Sequence, residues 1–180
     1  EPKQAAALIA LGTFAKNRGR YPQADRLLRL ALHYRSSSNL AWFHLGHVHL
    51  ILAKIAQQKS NTDKTFANHF KKHLNIAKKC FSNNIELATN DPRPHWGIAH
   101  IHGLQDKSQQ QEKIFRQWLK HPQARSYILR DLLKLLKAQK RQREFRTLLR
   151  KHGTRFLHDR SITHMLKQAN MLRVQKTSNP

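Results

Sequence analysis

Ten long cations crowd the stretch from Arg130 to Arg155: Arg130, Lys134, Lys137, Lys140, Arg141, Arg143, Arg146, Arg150, Lys151 and Arg155. Only Asp131 and Glu144 oppose them there. Side chains of this kind bind anions, and neutralising several phosphates releases condensed counterions. A merely solvated helix face would mix Glu with Lys in i,i+4 pairs, and Glu is nearly absent. The expectation is a face that meets something acidic, centred on Lys134, Lys137, Arg141, Arg146 and Arg150. Chain-wide, 34 Lys and Arg stand against ten Asp and Glu, a formal net charge of +24 over 180 residues. A field of that size costs self-repulsion unless a negative neighbour offsets it.

Thirteen histidines are the second chemical feature. His69 and His73 lie at i,i+4 with Cys80 seven residues further on, a spacing from which a metal ligand set can be imagined. His44, His47 and His49 form a second cluster, and His95, His100 and His102 a third. Their spacings of two, three and five do not put three rings on one helix face. No carboxylate stands near enough along the chain to orient any of them. The expectation is surface or groove histidines and no metal site, with extra positive charge below about pH 6.5.

Catalytic material is thin. There is no Gly-rich phosphate loop, no G-x-S-x-G and no close carboxylate pair on a helix face. Lys78 and Lys79 flank the single Cys80 and are expected to lower its pKa, while Ala77 and Phe81 suggest a structural thiol. One cysteine excludes an internal disulfide and a multi-cysteine zinc site. A non-enzyme without cofactor is expected.

For nucleic acid, Tyr21, Tyr34, Tyr127 and Trp118 are the candidate stacking rings. No aromatic RNP run or zinc-finger spacing accompanies them, although RNA contact through shape and phosphates needs neither. Residues 128–152, rich in Leu and Arg, also read as a basic amphipathic segment suited to anionic lipid, but their leucines are expected to face a core. No stretch reaches the ~18 apolar residues that span a bilayer. The first residue is Glu1, which permits a removed presequence, a lost membrane anchor or a boundary within a larger protein.

The elements that must position these groups are helical throughout. Apolar residues recur at helical spacing in a first helix through Leu8, Ile9, Leu11 and Phe14, ending near Gly19. A second begins about Pro22, and a third runs from Leu40 to Leu52. A long one has its stripe at Phe66, Phe70, Leu74, Ala77, Phe81, Ile85 and Ala88. The run Asn90-Asp91-Pro92-Arg93-Pro94 is expected to break the chain. Helices follow about Trp96–Leu104, Gln109–Leu119, 124–138 and 142–153, with a last one through Ile162, Met165, Leu166, Ala169 and Leu172.

The pattern repeats. Leu8, Leu11-Gly12, Gly19-Arg20-Tyr21, Ala24, Leu28 and Ala31 are followed 34 residues later by Trp42, matching Leu8, and Leu45-Gly46, matching Leu11-Gly12. This resembles the tetratricopeptide repeat, W-x2-L-G-x2-Y then A-x3-F and a closing Pro. The glycine would let two helices approach, small Ala24 and Ala31 would let the second nest on the first, and Trp42 would plug the groove between pairs. Trp96 reads as opening a third copy. Leu132-Leu133 through Ala138-Gln139-Lys140-Arg141 to Phe145 and Leu148-Leu149 reads as a fourth, with Phe145 where a small residue is expected.

The resemblance implies a right-handed all-α solenoid. Its repeats fall at about 5–38, 39–92 with some 20 extra residues near Gln57–Asp63, 93–123 and 124–153, with a capping helix at about 157–174 and a tail at 175–180. It also implies a concave face of first helices that receives a peptide or helix, with Thr13, Lys16, Phe43, His47 and Leu50 as contacts. Ile9 and Thr13 replace the Lys and Asn of a known carboxylate clamp, so that clamp is not expected. The function implied is a non-catalytic scaffold or assembly factor for an acidic protein or peptide. The alternatives are an RNA-contacting component of a ribonucleoprotein and the repeat domain of a membrane-anchored assembly protein.

Overall fold

A computed structural model describes residues 2–60 and 63–171. In chain order the helices are α1 (Pro2–Asn17), α2 (Tyr21–Tyr34), α3 (Asn39–Ser60), α4 (Thr65–Leu87), α5 (Pro92–Leu104), α6 (Ser108–Leu119), α7 (Ser126–Ala138), α8 (Gln142–His152) and α9 (Arg160–Gln168), with a 3-10 turn at Gly153–Phe156 before α9. No strand occurs among the described residues. The chain divides within α6 into two compact units, residues 1–114 and 115–180.

In the first unit, hairpin α1/α2 packs on hairpin α3/α4, and α5 lies against both α3 and α4. Glycines set how closely. A Cβ on Gly12 would stand 2.8 Å from Leu28 Cγ, and one on Gly46 would stand 2.8 Å from Phe81 Cε1. Gly97 of α5 meets the same Phe81 ring, closer still. Phe81 is fully buried. Ala77-x3-Phe81 on α4 therefore does for the second hairpin what Ala24-x3-Leu28 does for the first, but much further along the chain. The extra residues lengthen α3 to 22 residues and α4 to 23, against 16 and 14 in α1 and α2.

The turns are alike where the hairpins are alike. Gly19 has φ +74°, Asp106 +59°, Lys140 +57° and Asn170 +53°. The next residue in each case returns an N–H to a carbonyl five residues back, each at 2.9 Å: Arg20 to Ala15, Lys107 to His102, Arg141 to Leu136 and Met171 to Leu166. Such a left-handed residue with a backward hydrogen bond satisfies orphan carbonyls at a helix C-terminus.

The chain breaks between Leu87 and Pro92, as the proline-rich run leads one to expect, but α5 begins at Pro92 and not near Trp96. Asp91 caps α5 by accepting from the Arg93 N–H at 2.9 Å, and both Pro92 and Pro94 sit in the first turn. First-turn N–H groups have no intrahelical acceptor, so proline loses nothing there.

In the second unit α7 packs on α8, and α9 packs on α7, α8 and the 3-10 turn. Leu129, Leu132, Leu133, Leu136, Leu148 and Leu149 are all buried, so these leucines of residues 128–152 face the core, as expected. No described helix is long and apolar enough to cross a membrane. Asp159 caps α9 through the N–H groups of Ser161 and Ile162. The expected last helix extends to 174, but its positions beyond Met171, with the tail, lie outside the described residues.

Replacing Gly97 by Ala should lower stability by about 1–3 kcal/mol through overpacking against Phe81. The urea midpoint should fall without a change in slope, and Phe81→Leu in the same chain should recover part of the loss. Equal stability of Gly97→Ala and the parent would show that the ring has room to move.

Candidate binding groove and basic face

Helices α1, α3 and α5 are neighbours in the first unit, and their facing residues build a ladder of rings with a cation at one end. Lys16 of α1 donates to His44 Nδ1 at 3.4 Å. His44 lies against Phe43 at 5.2 Å between ring centroids, and Phe43 stands 6.0 Å from His47. His47 meets Trp96 of α5 edge-on at 5.3 Å, and Trp96 meets His100 at 4.4 Å. The Arg93 guanidinium lies 5.4 Å from the Phe43 centroid, a cation over an aromatic face. Phe43 itself rests on Phe81 at 6.3 Å. Beside this ladder, His47, Leu50, Trp96 and His100 line an open cavity of about 380 Å³ with Lys54 and Gln111 at its edge.

Burial pushes the His44 imidazole down to about 4, with Lys16 and Arg93 adding to the effect. Burial, then Lys16, His44 and His100, holds His47 at about 4. Burial also lowers Lys16, and no carboxylate pairs with that lysine among the described residues. Thr13, one turn earlier on α1, has its hydroxyl oxygen enclosed without a hydrogen-bond partner.

The expected groove residues are thus brought together in part. Lys16, Phe43 and His47 belong to the ladder. Leu50 is only 7% exposed and serves as the cavity floor. Thr13 is half-buried on the same helix as Lys16. His44, Arg93, Trp96 and His100 join them, although the repeat pattern does not mark them as contacts. Their signal lies in i,i+3 and i,i+4 pairs, His44 with His47 and Trp96 with His100, which share a helix face.

The basic run is divided by the geometry of α8. Lys134, Lys137 and Arg146 converge around one cavity of the second unit. Arg143 and Lys151 line another, with Glu144 in its wall. Arg141 is tied to Glu144 at 2.6 and 2.8 Å, and Glu144 also receives Arg116 at 2.8 Å. Arg150 is exposed and lines neither cavity.

Three expectations need correction. A carboxylate does orient a histidine: His49 Nε2 donates to Asp25 Oδ1 at 2.8 Å, and His49 Nδ1 is hydrogen-bonded to His73 Nδ1 at 2.9 Å. Asp25 lies on α2, 24 residues away, so distance along the chain hid it. Burial alone would raise the Asp25 carboxyl, but hydrogen bonds from His49 and Arg29 outweigh it and hold the group at about 2. Cys80 is not activated by its lysine neighbours: it is 2% exposed, and burial pushes its thiol up to about 12. Trp118 is 9% exposed and packs against the His121 ring at 4.9 Å rather than offering a free face for a base, whereas Tyr34 is exposed. No group of three or more His, Cys, Asp or Glu among the described residues is arranged to hold a metal.

No protein-family model matches the chain, and no curated protein matches it. Solved structures do. A monomeric mutant of IFIT1 with Gppp-AAAA superposes with a TM-score of 0.68 at 14% identity, over 93% of this chain and 44% of that one. TTC0263, a thermophilic TPR protein of Thermus thermophilus, superposes with a TM-score of 0.50 at 16% identity, over 93% of this chain and 100% of that one. The fold is that of tetratricopeptide-repeat proteins. The chain spans less than half the length of the IFIT1 chain it matches.

Two outcomes follow from these side chains. Removing Asp25 by Asp25→Ala leaves a buried imidazole without its acceptor and should cost about 1–3 kcal/mol, read as a lower urea midpoint. For His44 and His47, an unfolded histidine takes up its proton near 6.5 and these not until about 4. The unfolded chain therefore binds more protons across that interval. Their contribution to stability is complete above pH 6.5 and is lost as pH falls toward 4. Thermal unfolding at a series of pH values should show a shallower decline in the double variant His44→Gln, His47→Gln than in the parent. Parallel curves would contradict the assignment.

Proposed function

We propose that the chain is a non-catalytic interaction scaffold that takes up an acidic polypeptide partner along the face of α1, α3 and α5. The observation that carries this reading is Lys16. It is a half-buried ammonium whose hydrogen bond goes to an imidazole held uncharged at neutral pH, at the end of a ladder of rings. A buried cation without a counter-charge is costly, and a ligand carboxylate placed there offsets that cost. The rings beside it, Phe43, His47 and Trp96, suit an extended segment that lays apolar or aromatic side chains into the 380 Å³ cavity. Specificity then comes from the rings and affinity from the charge. The net charge of +24 adds long-range attraction for an acidic surface.

A second reading, contact with RNA, is favoured by the same charge and by the likeness to IFIT1 with Gppp-AAAA. The two differ in salt dependence. Single-stranded nucleic acid held by several phosphates loses affinity with a log–log slope of about −0.7 per contact, whereas a packed peptide groove gives a shallow one. Fluorescence anisotropy of nuclease-treated protein should be followed from about 50 to 200 mM salt, the range over which phosphate contacts weaken sharply. The probes are an acidic polypeptide carrying aromatic residues and random-sequence RNA. The expected result is tighter binding of the polypeptide with the shallower slope, weakened by Lys16→Glu. Tight RNA binding with a steep slope, preferred over the polypeptide, overturns the proposal in favour of the second reading.

A further inference from the structure

The second unit holds a cavity of about 410 Å³ that the groove of the first unit does not account for. It opens between α7, the start of α8 and the end of α9. Leu133, Phe145 and Met165 form its apolar wall, and Lys134, Lys137 and Arg146 stand around it. Phe145 occupies the slot where the repeat pattern expects a small residue. Its ring is only half-buried and faces the cavity.

The electrostatics of this cavity are one-sided. No carboxylate lines it. The described acids of the unit leave Lys137 and Arg146 unmatched, and of the three cavity cations only Lys134 has a carboxylate beside it. Asp131 lies 3.4 Å from Lys134 and 3.8 Å from Arg130. Glu144 is held by Arg116 and Arg141. Asp159 caps α9 and lies 3.5 Å from Arg130. Lys137 and Arg146 consequently meet no carboxylate among the described residues.

We propose that this cavity is a second docking site, for an acidic amphipathic segment of a partner polypeptide. An apolar side chain of that segment enters between Leu133, Phe145 and Met165, and flanking carboxylates pair with Lys137, Arg146 and Lys134. Both halves of the site enter the argument. A neutral apolar ligand lowers the solvation of Lys137 and Arg146 and brings no carboxylate to offset it, which is unfavourable. A small inorganic anion leaves the apolar wall unused. A single-stranded nucleic acid needs a succession of rings for stacking, and Phe145 is the one ring in the wall. An acid-flanked apolar residue satisfies charge and apolar surface together, with complementary charges steering the encounter. The site rests on the acidic-polypeptide reading above and names a second place and a motif chemistry for it.

The test uses the full chain carrying Lys16→Glu, so that the first groove is silenced. The probe is a fluorescein-labelled helix-forming peptide of roughly twelve residues, with leucines at i and i+4 flanked by glutamates. A leucine-free glutamate peptide of equal charge is the control. The expected result is saturable binding of the leucine peptide, about tenfold weaker or more for the control and after Lys137→Glu with Arg146→Glu. Ala169→Trp, which fills the cavity without touching its charge, should weaken binding by a similar factor, with far-UV circular dichroism unchanged in each variant. Equal binding of the two peptides, or no response to either set of substitutions, overturns the site. Binding by the parent chain that Lys16→Glu alone abolishes also overturns it, but leaves the acidic-polypeptide reading standing. If the parent chain binds neither peptide yet binds oligoadenylate, that reading fails and this inference with it.

Discussion

The first unit depends on one aromatic ring packed against two glycines. Phe81 lies against both Gly46 of α3 and Gly97 of α5, where neither helix carries a side chain to keep it off. That contact brings α3, α4 and α5 together at a separation that an alanine would force to shift, and close-packed interiors tolerate little adjustment at such points. It also places the binding residues. Phe43 rests on the same ring, and Trp96 is the residue before Gly97. The distance at which Trp96 meets His47 is therefore set by a core contact that no ligand touches.

Polar groups are distributed by cost. The Asp25–His49–His73 network joins α2, α3 and α4 around a buried His49, which is satisfied within the fold as buried polar groups must be. It stitches the first two hairpins and leaves little to bind anything else. The groove is different. Burial keeps His44 and His47 uncharged, which allows them to pack against Phe43 and Trp96, while Lys16 keeps no counter-charge of its own. In the second unit the few acids are spent on caps and short ion pairs, so most of the excess positive charge stays uncompensated on the surface. Stability accounts for the first network and does not account for the other two features.

Much of the architecture was legible along the chain. Helical spacing of Phe66, Phe70, Leu74, Ala77 and Phe81 marks α4, and Leu11-Gly12 with Leu45-Gly46 marks the hairpin contacts, because the 3.6-residue period is a local property. Pro94 misleads because proline's effect depends on position: it stops a helix interior and suits a first turn. The groove was half legible. Lys16, Phe43 and His47 follow from first-helix positions in a repeat, whereas Arg93, Trp96 and His100 join only once α5 is docked on α3. Cys80 misleads for a related reason: adjacent lysines on a helix point away from a side chain that faces the core.

Composition and the spacing of near neighbours suffice for the all-α class, the hairpin repeat, the scarcity of catalytic groups and the excess of positive charge, since none of these reaches beyond a few helical turns. Which charges are spent and which remain was settled by how the helices pack. Packing paired Asp25 with His49, bound Arg116 to Glu144, and set Lys134, Lys137 and Arg146 around an apolar cavity while leaving Arg150 apart. The physical reason is that an ion pair or a cavity wall is a relation across space, often between residues dozens apart, and a hydrogen bond is made or missed within about half an ångström.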